Sequence, residues 1–499
     1  MTKTFYIATA IDYVNAEPHI GHAYQKIIAD ALARWHKLLG EEVFFLTGTD
    51  EHGKKVAESA QKAGKSPKEF VDEISQKFKE SWKLININYD RFIRTTDSDH
   101  KEIVKKFAEI VNKSKDIYKG EYQGYYCTGC ETFYTETECP DLICKFHKRP
   151  LEKLKEETYF FKLSKYQDFL LEHYKRHPEF ILPEQRRKEV INRVKEGLKD
   201  LSITRTSVDW GIPFPLEKNH VFYVWFEALI NYYTATQSSQ KLIKFWPTNL
   251  NLLGIDNMWF HTVIWPAMLK SAGIALPITV FNHGFLTFNG QKISKSLGNA
   301  ISIKMLVERY GSESIRYFVC RNFVFGEDGD FDEKALAERH NNELANKLGN
   351  LVSRVSTLAE KYGIEKTDPS LKAKELLKKV KEHFEKYELH KALDEIFAYI
   401  DKTNEYIQNQ KPWEVRSPQR EAPQQSEEAH SKSESNSRKV LYELVFAIRN
   451  AAILLSPFIP ETSEKIAQTF SFKISLKELD KPLKISSIKK SEILFKKIQ

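Results

Sequence analysis

The chain has 499 residues, 41% of them hydrophobic and 12% aromatic, which suits two to four cored domains better than one. No apolar run approaches the roughly 18–20 residues of a membrane span, and no charged-then-apolar leader opens the sequence, so a cytoplasmic protein with no membrane partner is expected. The net charge of +8, from 76 Lys and Arg against 68 Asp and Glu, permits a nucleic-acid partner without demanding one.

In chain order, residues 4–11 are β-branched and aromatic and read as a strand, beginning Thr4-Phe5-Tyr6-Ile7-Ala8. Asn15, Pro18 and Gly21 then make a turn, and Ile27, Ala31, Leu32 and Trp35 mark a helix that stops near Gly40. A second strand, Val43-Phe44-Phe45-Leu46, runs into Thr47-Gly48-Thr49-Asp50. This βαβ order predicts a parallel sheet covered by helices, whose ligands sit beyond the carboxyl ends of the strands. The segment His19-Ile20-Gly21-His22 and Asp50 both fall there. The fingerprint Gly-x-Gly-x-x-Gly is missing from the turn, which argues against a nicotinamide enzyme.

Residues from about 115 to 215 break the alternation and read as an insertion. Alternation is expected to resume with Val221-Phe222-Tyr223-Val224-Trp225 and with Pro277-Ile278-Thr279-Val280-Phe281. Beyond about 335 the pattern is helical and charged to about 470, followed by a basic tail. Residues 416–438 contain no Phe, Leu, Ile or Val and are dense in Ser, Glu and Gln, so a disordered loop is expected there.

Four of the five cysteines cluster inside the insertion. Cys127-x2-Cys130, thirteen residues, then Cys144-x2-His147 suits a tetrahedral Zn²⁺ whose four protein ligands make it structural. Cys139 could replace His147 and make a four-cysteine site. Cys320 lies in an apolar helix-like run and reads as core.

Downstream, Lys292-Ile293-Ser294-Lys295-Ser296 follows a glycine and carries two long cationic arms. With His19 and His22 at a helix N-terminus, Lys292 and Lys295 can clamp a polyphosphate from two sides, and Gly21 leaves room for close approach. Preorganised donors of this kind stabilise charge growing on departing pyrophosphate. The order His-x-Gly-His then Lys-x-Ser-Lys-Ser resembles the signature pair of class I aminoacyl-tRNA synthetases.

Three further stretches narrow the resemblance: Ala10 to Asn15, Tyr223 to Tyr232, and Trp259 to Pro266. All three resemble pocket segments of the methionyl-tRNA synthetase family, as does the zinc knuckle. The resemblance implies a methionine pocket of Ile11, Tyr13, Trp225, Ala228, Tyr232, His261 and Trp265, with Asp50 on the substrate ammonium. Aromatic walls suit a polarizable thioether, to which Tyr13 and His261 could offer polar hydrogens. The resemblance also implies ATP contacts from His19, Gly21, His22, Gly254, Asp256, His283, Gly284, Lys292, Ile293, Ser294 and Lys295, of which His19, His22, Lys292 and Lys295 are catalytic. Ile255, Asn257, Ala10 and Asp12 depart from that family's usual residues. Leu348 to Arg354 and Lys411-Pro412-Trp413 resemble anticodon-reading segments, with Asn350, Arg354 and Trp413 on unstacked bases.

The expected fold is therefore α/β: a split Rossmann-like, doubly wound parallel sheet (residues 1–114 and 216–290), a zinc-knuckle insertion (115–215), a loop and stem-contact linker (291–335), an all-α anticodon-binding bundle (336–470) and a basic tail (471–499). The expected function is activation of L-methionine with Mg²⁺-ATP and transfer of the methionyl group to tRNA(Met). Another class I synthetase, or a non-catalytic tRNA-binding paralogue, is the alternative. A monomer is expected, with a tRNA-binding module acting in trans as a further possibility.

Overall fold

The first strand, β1 (Thr4–Thr9), divides the molecule because its side chains alternate between two cores. Phe5 and Ile7 pack with one cluster, Tyr6 and Ala8 with the other, and all four are buried. The computed structural model describes residues 2–127, 132–134, 139–145, 148–288, 290–293, 301–414, 423–484 and 488–498, apart from the side chains at 122, 123, 132, 133, 154, 156, 292 and 423–430.

The main sheet has seven strands. After β1 come β2 (Asp12–Tyr13), β3 (Glu42–Asp50), β4 (Arg91–Arg94), β5 (Ile181–Leu182), β6 (Leu250–Gly254) and β7 (Thr279–His283). Every pairing is parallel: β3 takes β1 and then β2 on one edge and β4 on the other, β6 lies against the far edge of β1, and β7 and β5 follow. The helix α1 (Ile20–Leu38) covers one face, and the helix Trp265–Ala272 covers the other. The chain thus leaves β1 and β6 toward opposite faces, which opens a crevice beyond their carboxyl ends.

α1 forms where the sequence predicts it. Alanines 23, 29, 31 and 33 favour helix, Ile20, Ile27, Ile28 and Leu32 supply the buried stripe, and Gly40 with φ +86° ends it in a conformation glycine adopts without strain. The expected strand at residues 221–225 needs correction. Only Val221–Phe222 is extended, pairing antiparallel with Thr204–Arg205, and Val224–Ala228 is helical. The parallel strand beside β1 is instead Leu250–Gly254, since a short apolar run does not by itself distinguish strand from helix.

The insertion is an antiparallel sheet in which Ile117–Cys127 pairs with Glu152–Phe161, flanked by Thr132–Tyr134 and Leu201–Ser202. The C-terminal part is helical as expected, with Asn350–Tyr362, Lys374–Glu385, Leu389–Gln410, Pro423–Leu455 and Pro460–Thr469. Two expectations fail here. Residues 423–438, expected as disordered loop, form the first turns of the 33-residue helix Pro423–Leu455. Glu, Gln, Lys and Ala are good helix formers, no Gly or Pro interrupts them after Pro423, and the apolar stripe that anchors the helix begins only at Val440. Residues 415–422 lie outside the described residues.

The supposed tail is not free either. Phe472, Leu476, Leu494 and Phe495 pack on the helical core, His340 Nε2 donates to Lys496 O at 2.8 Å, and Asn341 exchanges hydrogen bonds with the Ile498 backbone. Its lysines hid an apolar side that composition alone averages away. Cys320 is buried as expected, and burial pushes its thiol up to about 12.

Candidate functional site

The crevice holds a cavity of about 290 Å³. His19 caps α1 with extended backbone; its Nδ1 accepts from Gly21 N at 3.1 Å, and His22 Nδ1 accepts from His19 N at 3.2 Å. A backbone N–H can only donate, so in each neutral ring the proton sits on Nε2. The capping box thus presets two imidazoles, with ring centroids 4.0 Å apart, to offer Nε2–H to an anion at a helix N-terminus. Gly21 serves this arrangement in an unforeseen way. A Cβ there would lie 3.0 Å from the His19 ring, so the glycine makes room for His19 while also lining the cavity.

One half of the cavity is aromatic. Ile11 reaches it from the link after β1 and Tyr13 from β2, and Trp225, Ala228 and Tyr232 from the short helices after residue 223. Trp225 stacks on Phe260 at 3.8 Å, and Tyr13 meets its edge at 6.3 Å. Asp50 stands at the end of β3 in register with Tyr13 and is 2% exposed. Trp265 is the exception among the predicted wall residues. It does not line the cavity but is fully buried behind Tyr232, at 6.4 Å.

His261 also lines the cavity, yet its polar hydrogen is committed. Its Nδ1 faces the Asn257 carbonyl at 2.9 Å and must donate to it; burial lowers its pKa to about 4, keeping the ring neutral. Its Nε2 therefore accepts the Tyr232 hydroxyl hydrogen at 2.8 Å. The expected donation from His261 to a sulfur needs correction, because its ring hydrogen is already given to Asn257 O.

The other half is polar. Gly254 and His283 are paired across β6 and β7, so both strands end level at the crevice. Asp256, Gly284 and Ile293 join them. A Cβ on Gly284 would sit 2.4 Å from the Glu327 backbone carbon and 2.5 Å from Asp328 N, so glycine is required there, whereas one on Gly254 would meet only the movable Asp256 carboxylate, at 2.6 Å. Asp328, which the sequence reading missed, accepts from Phe285 N at 2.7 Å. Lys292 pairs with Thr287 through its backbone; its side chain, and all of Ser294 and Lys295, lie outside the described residues.

Sequence reasoning also missed Tyr24, Gln25, Lys26, Asn231 and Leu286 as cavity residues. For Gln25 and Lys26 the signal existed. They follow His22 by three and four positions and share its helix face.

In the insertion, Cys127, Cys139 and Cys144 are buried in one small cluster with Leu151, while Cys130 and His147 lie outside the described residues. Tight turns follow two of these thiols, with Leu142 N donating to Cys139 O at 3.0 Å and Lys148 N to Cys144 O at 2.8 Å. The three thiols share one buried cluster and are of the donor type zinc takes, but their sulfur atoms are not all within ligand-to-ligand distance of one another. A second group, Glu157, Glu217 and His220, is the one with metal-like spacing among the described residues, but Lys119 Nζ already bridges both carboxylates at 2.9 Å.

On the helical domain, Asn350 and Arg354 are exposed one turn apart, and the Arg354 guanidinium lies 5.8 Å from the Trp413 ring, which is 37% exposed. Amide, guanidinium and indole thus form one surface, suited to unstacked bases.

The chain matches the family model for class I tRNA synthetases (M) over residues 5–149 and 140–356, and that for the anticodon-binding domain of tRNA ligase over residues 371–498. It is 44% identical to the methionine–tRNA ligase of Caldanaerobacter subterraneus subsp. tengcongensis over 100% of this chain and 79% of that protein. For the Thermotoga maritima methionine–tRNA ligase the identity is 44%, over 94% of this chain and 75% of that protein. Among solved structures, Mycobacterium tuberculosis methionyl-tRNA synthetase in complex with methionyl-adenylate has a TM-score of 0.93 at 38% identity, covering 99% of this chain and 100% of that one.

Proposed function

The chain belongs to the methionyl-tRNA synthetases of class I, and from that premise we propose which of its residues carry each part of the reaction. The enzyme activates L-methionine with Mg²⁺-ATP to methionyl-adenylate, releasing pyrophosphate, and then transfers the methionyl group to the 3′ end of tRNA. The methionine carboxylate attacks the α-phosphorus, so no protein nucleophile is required; positioning and charge stabilisation do the catalysis.

In our reading the aromatic half takes the methionine side chain between Ile11, Tyr13, Trp225, Ala228 and Tyr232, with Tyr13 the hydrogen donor nearest in character to what a thioether accepts. Asp50 holds the ammonium. Gly254, Asp256, His283 and Gly284 cradle the adenosine. His19 and His22 meet the phosphates from α1, and we assign Lys292, Ser294 and Lys295 to the same phosphates on their motif alone, next to Ile293, which borders the cavity at 5% exposure. The observation that carries this reading is the single cavity joining the capped His19–His22 pair to the aromatic wall and to Asp50. Asp50→Ala is expected to raise the methionine KM about 100-fold, roughly 3 kcal/mol, because a buried charge pair loses one member. Methionine-dependent ATP–pyrophosphate exchange measures it; an unchanged KM would remove Asp50 from the role.

We further propose a structural zinc on Cys127, Cys130, Cys144 and His147, with Cys139 as the alternative fourth ligand because it is buried in the same cluster as Cys127 and Cys144. Zinc at one equivalent per chain by elemental analysis is expected, lost in His147→Ala and kept in Cys139→Ser. The reverse result would give the fourth position to Cys139.

Asn350, Arg354 and Trp413 are proposed to read the anticodon of tRNA(Met). The domain boundaries expected from the sequence stand as part of this reading, except that residues 471–498 count with the helical domain. A cytoplasmic monomer completes it, and no helix among the described residues is long and apolar enough to cross a membrane.

A further inference from the structure

Beneath the cavity runs a directed chain of hydrogen bonds that the phosphate and zinc motifs do not include. Lys26, on α1, is completely buried, and its ammonium donates to Ala10 O at 3.1 Å, Asp12 Oδ1 at 2.7 Å and Gln25 Oε1 at 3.0 Å. With its carbonyl taken, Gln25 must turn its amide toward His283, where Nε2 lies 3.1 Å from the ring Nε2. His283 Nδ1 faces the Gly284 carbonyl at 2.8 Å and must donate, which leaves Nε2 to accept from Gln25. One ammonium therefore fixes every donor and acceptor role from Asp12 to Gly284.

The two ends of this chain lie on the two halves of the cavity. Asp12 stands between Ile11 and Tyr13; His283 and Gly284 stand beside Gly254 and Asp256. The arrangement is not incidental to packing, because burying an ammonium costs several kcal/mol unless its acceptors are complete. Asp12 depends on it in turn. Its Oδ2 is buried with no hydrogen-bond partner, so Lys26 is the one side chain hydrogen-bonded to this carboxylate among the described residues. Burial raises the Asp12 pKa and lowers that of Lys26, each opposed by the charge of the other. A buried network in which each donor has one acceptor to go to selects one arrangement of the groups it joins, and here it leaves a single carboxylate oxygen, Asp12 Oδ2, unpaired.

We propose that Lys26 is a positioning residue for both substrates, tying the Ala10–Asp12 turn that carries Ile11 and Tyr13 to the His283–Gly284 turn on the nucleotide side. Lys26 borders the cavity, but its ammonium is spent on three protein acceptors, so it acts through its partners, Gln25 toward the nucleotide side and Asp12 toward the amino-acid side. The inference rests on the assignment of the two cavity halves above.

The test is the separate KM for methionine and ATP in pyrophosphate exchange, for Gln25→Ala, Asp12→Asn and the double variant Asp12→Asn/Lys26→Met. Gln25→Ala is expected to raise the ATP KM about five- to tenfold and leave the methionine KM within about twofold, and Asp12→Asn to do the opposite. The double variant, which removes both charges and leaves none buried alone, is expected to raise both. A double variant with both KM values like the parent enzyme would reduce the pair to charge compensation and overturn the proposal. So would a Gln25→Ala variant that raises both KM values equally, the mark of local loosening. If the unaltered enzyme showed no methionine-stimulated exchange, the functional reading would fail instead, whatever the variants did.

Discussion

Arg316→Met is expected to destabilise the enzyme by about 3–5 kcal/mol, the cost of removing one member of a buried ionic network. Arg316 is fully buried on the helix Ser312–Asn322 and reaches three separate segments. Its guanidinium donates to Pro457 O and Phe458 O at 3.1 and 3.0 Å and to Ile85 O and Asn86 O at 3.2 Å, and pairs with Asp30 of α1 at 2.6 Å. Methionine fills similar space but leaves these carbonyls without that donor. Differential scanning calorimetry at neutral pH measures the loss, and an unchanged melting temperature would contradict it.

The same variant has a predicted pH signature. Burial alone would raise the Asp30 carboxyl, but the charges of Arg316 and then Arg34 outweigh it and hold the group below its usual range. A folded-state pKa below the unfolded one contributes stability that is complete above about pH 4 and lost as pH falls through the depressed value. The gap between parent and variant should therefore narrow on acidification. A gap that widened would mean that Asp30 is not the partner that matters.

His22→Ala is expected to lower kcat for methionine-dependent exchange by about 100- to 1,000-fold, or 3–4 kcal/mol, as when one preorganised donor to a developing charge is removed. Its structural role predicts much less. Losing its half of the α1 capping box costs about 0.5–2 kcal/mol of stability, which thermal unfolding would register separately. A kcat that fell only in proportion to unfolded protein would reduce His22 to a cap. The methionine KM should stay near that of the parent enzyme, since His22 lies on α1 and not on the aromatic wall.

Much of this molecule was readable before any coordinates, and the exceptions share a cause. β1, α1 and β3 were readable because their patterns are local: alternation, a helical stripe, a terminal glycine. The residues His19, His22, Asp50, Trp225 and Tyr232 came from motif order and resemblance, and they do share a cavity. Trp265 did not, because a tryptophan in an apolar run gives no sign of whether it faces a ligand or the layer behind. The role of His261 failed for a related reason: its proton is committed to Asn257 O, a partner set by a π-helical turn over Phe260–Ile264 that spacing does not reveal. Lys26 was passed over because lysines on helices usually face water, and only the tertiary fold brings Asp12 and Ala10 over it. The helix from Pro423 was missed because a polar helix borrows its stability from the apolar turns that follow.

The antiparallel ribbon of the insertion acts as a lever. Ten paired positions separate its root at Ile117 and Phe161, set in the main core, from the cysteine cluster near Tyr126 and Glu152. At about 3.4 Å per residue that arm is roughly 30 Å long, so a tilt of one degree at the root swings the tip by about half an ångström. The arm is tied back at its tip, where Glu152 Oε2 accepts from Lys54 Nζ at 3.0 Å, and Lys54 lies only four residues beyond Asp50, so shifts at the cysteine end are expected to reach the segment that carries Asp50.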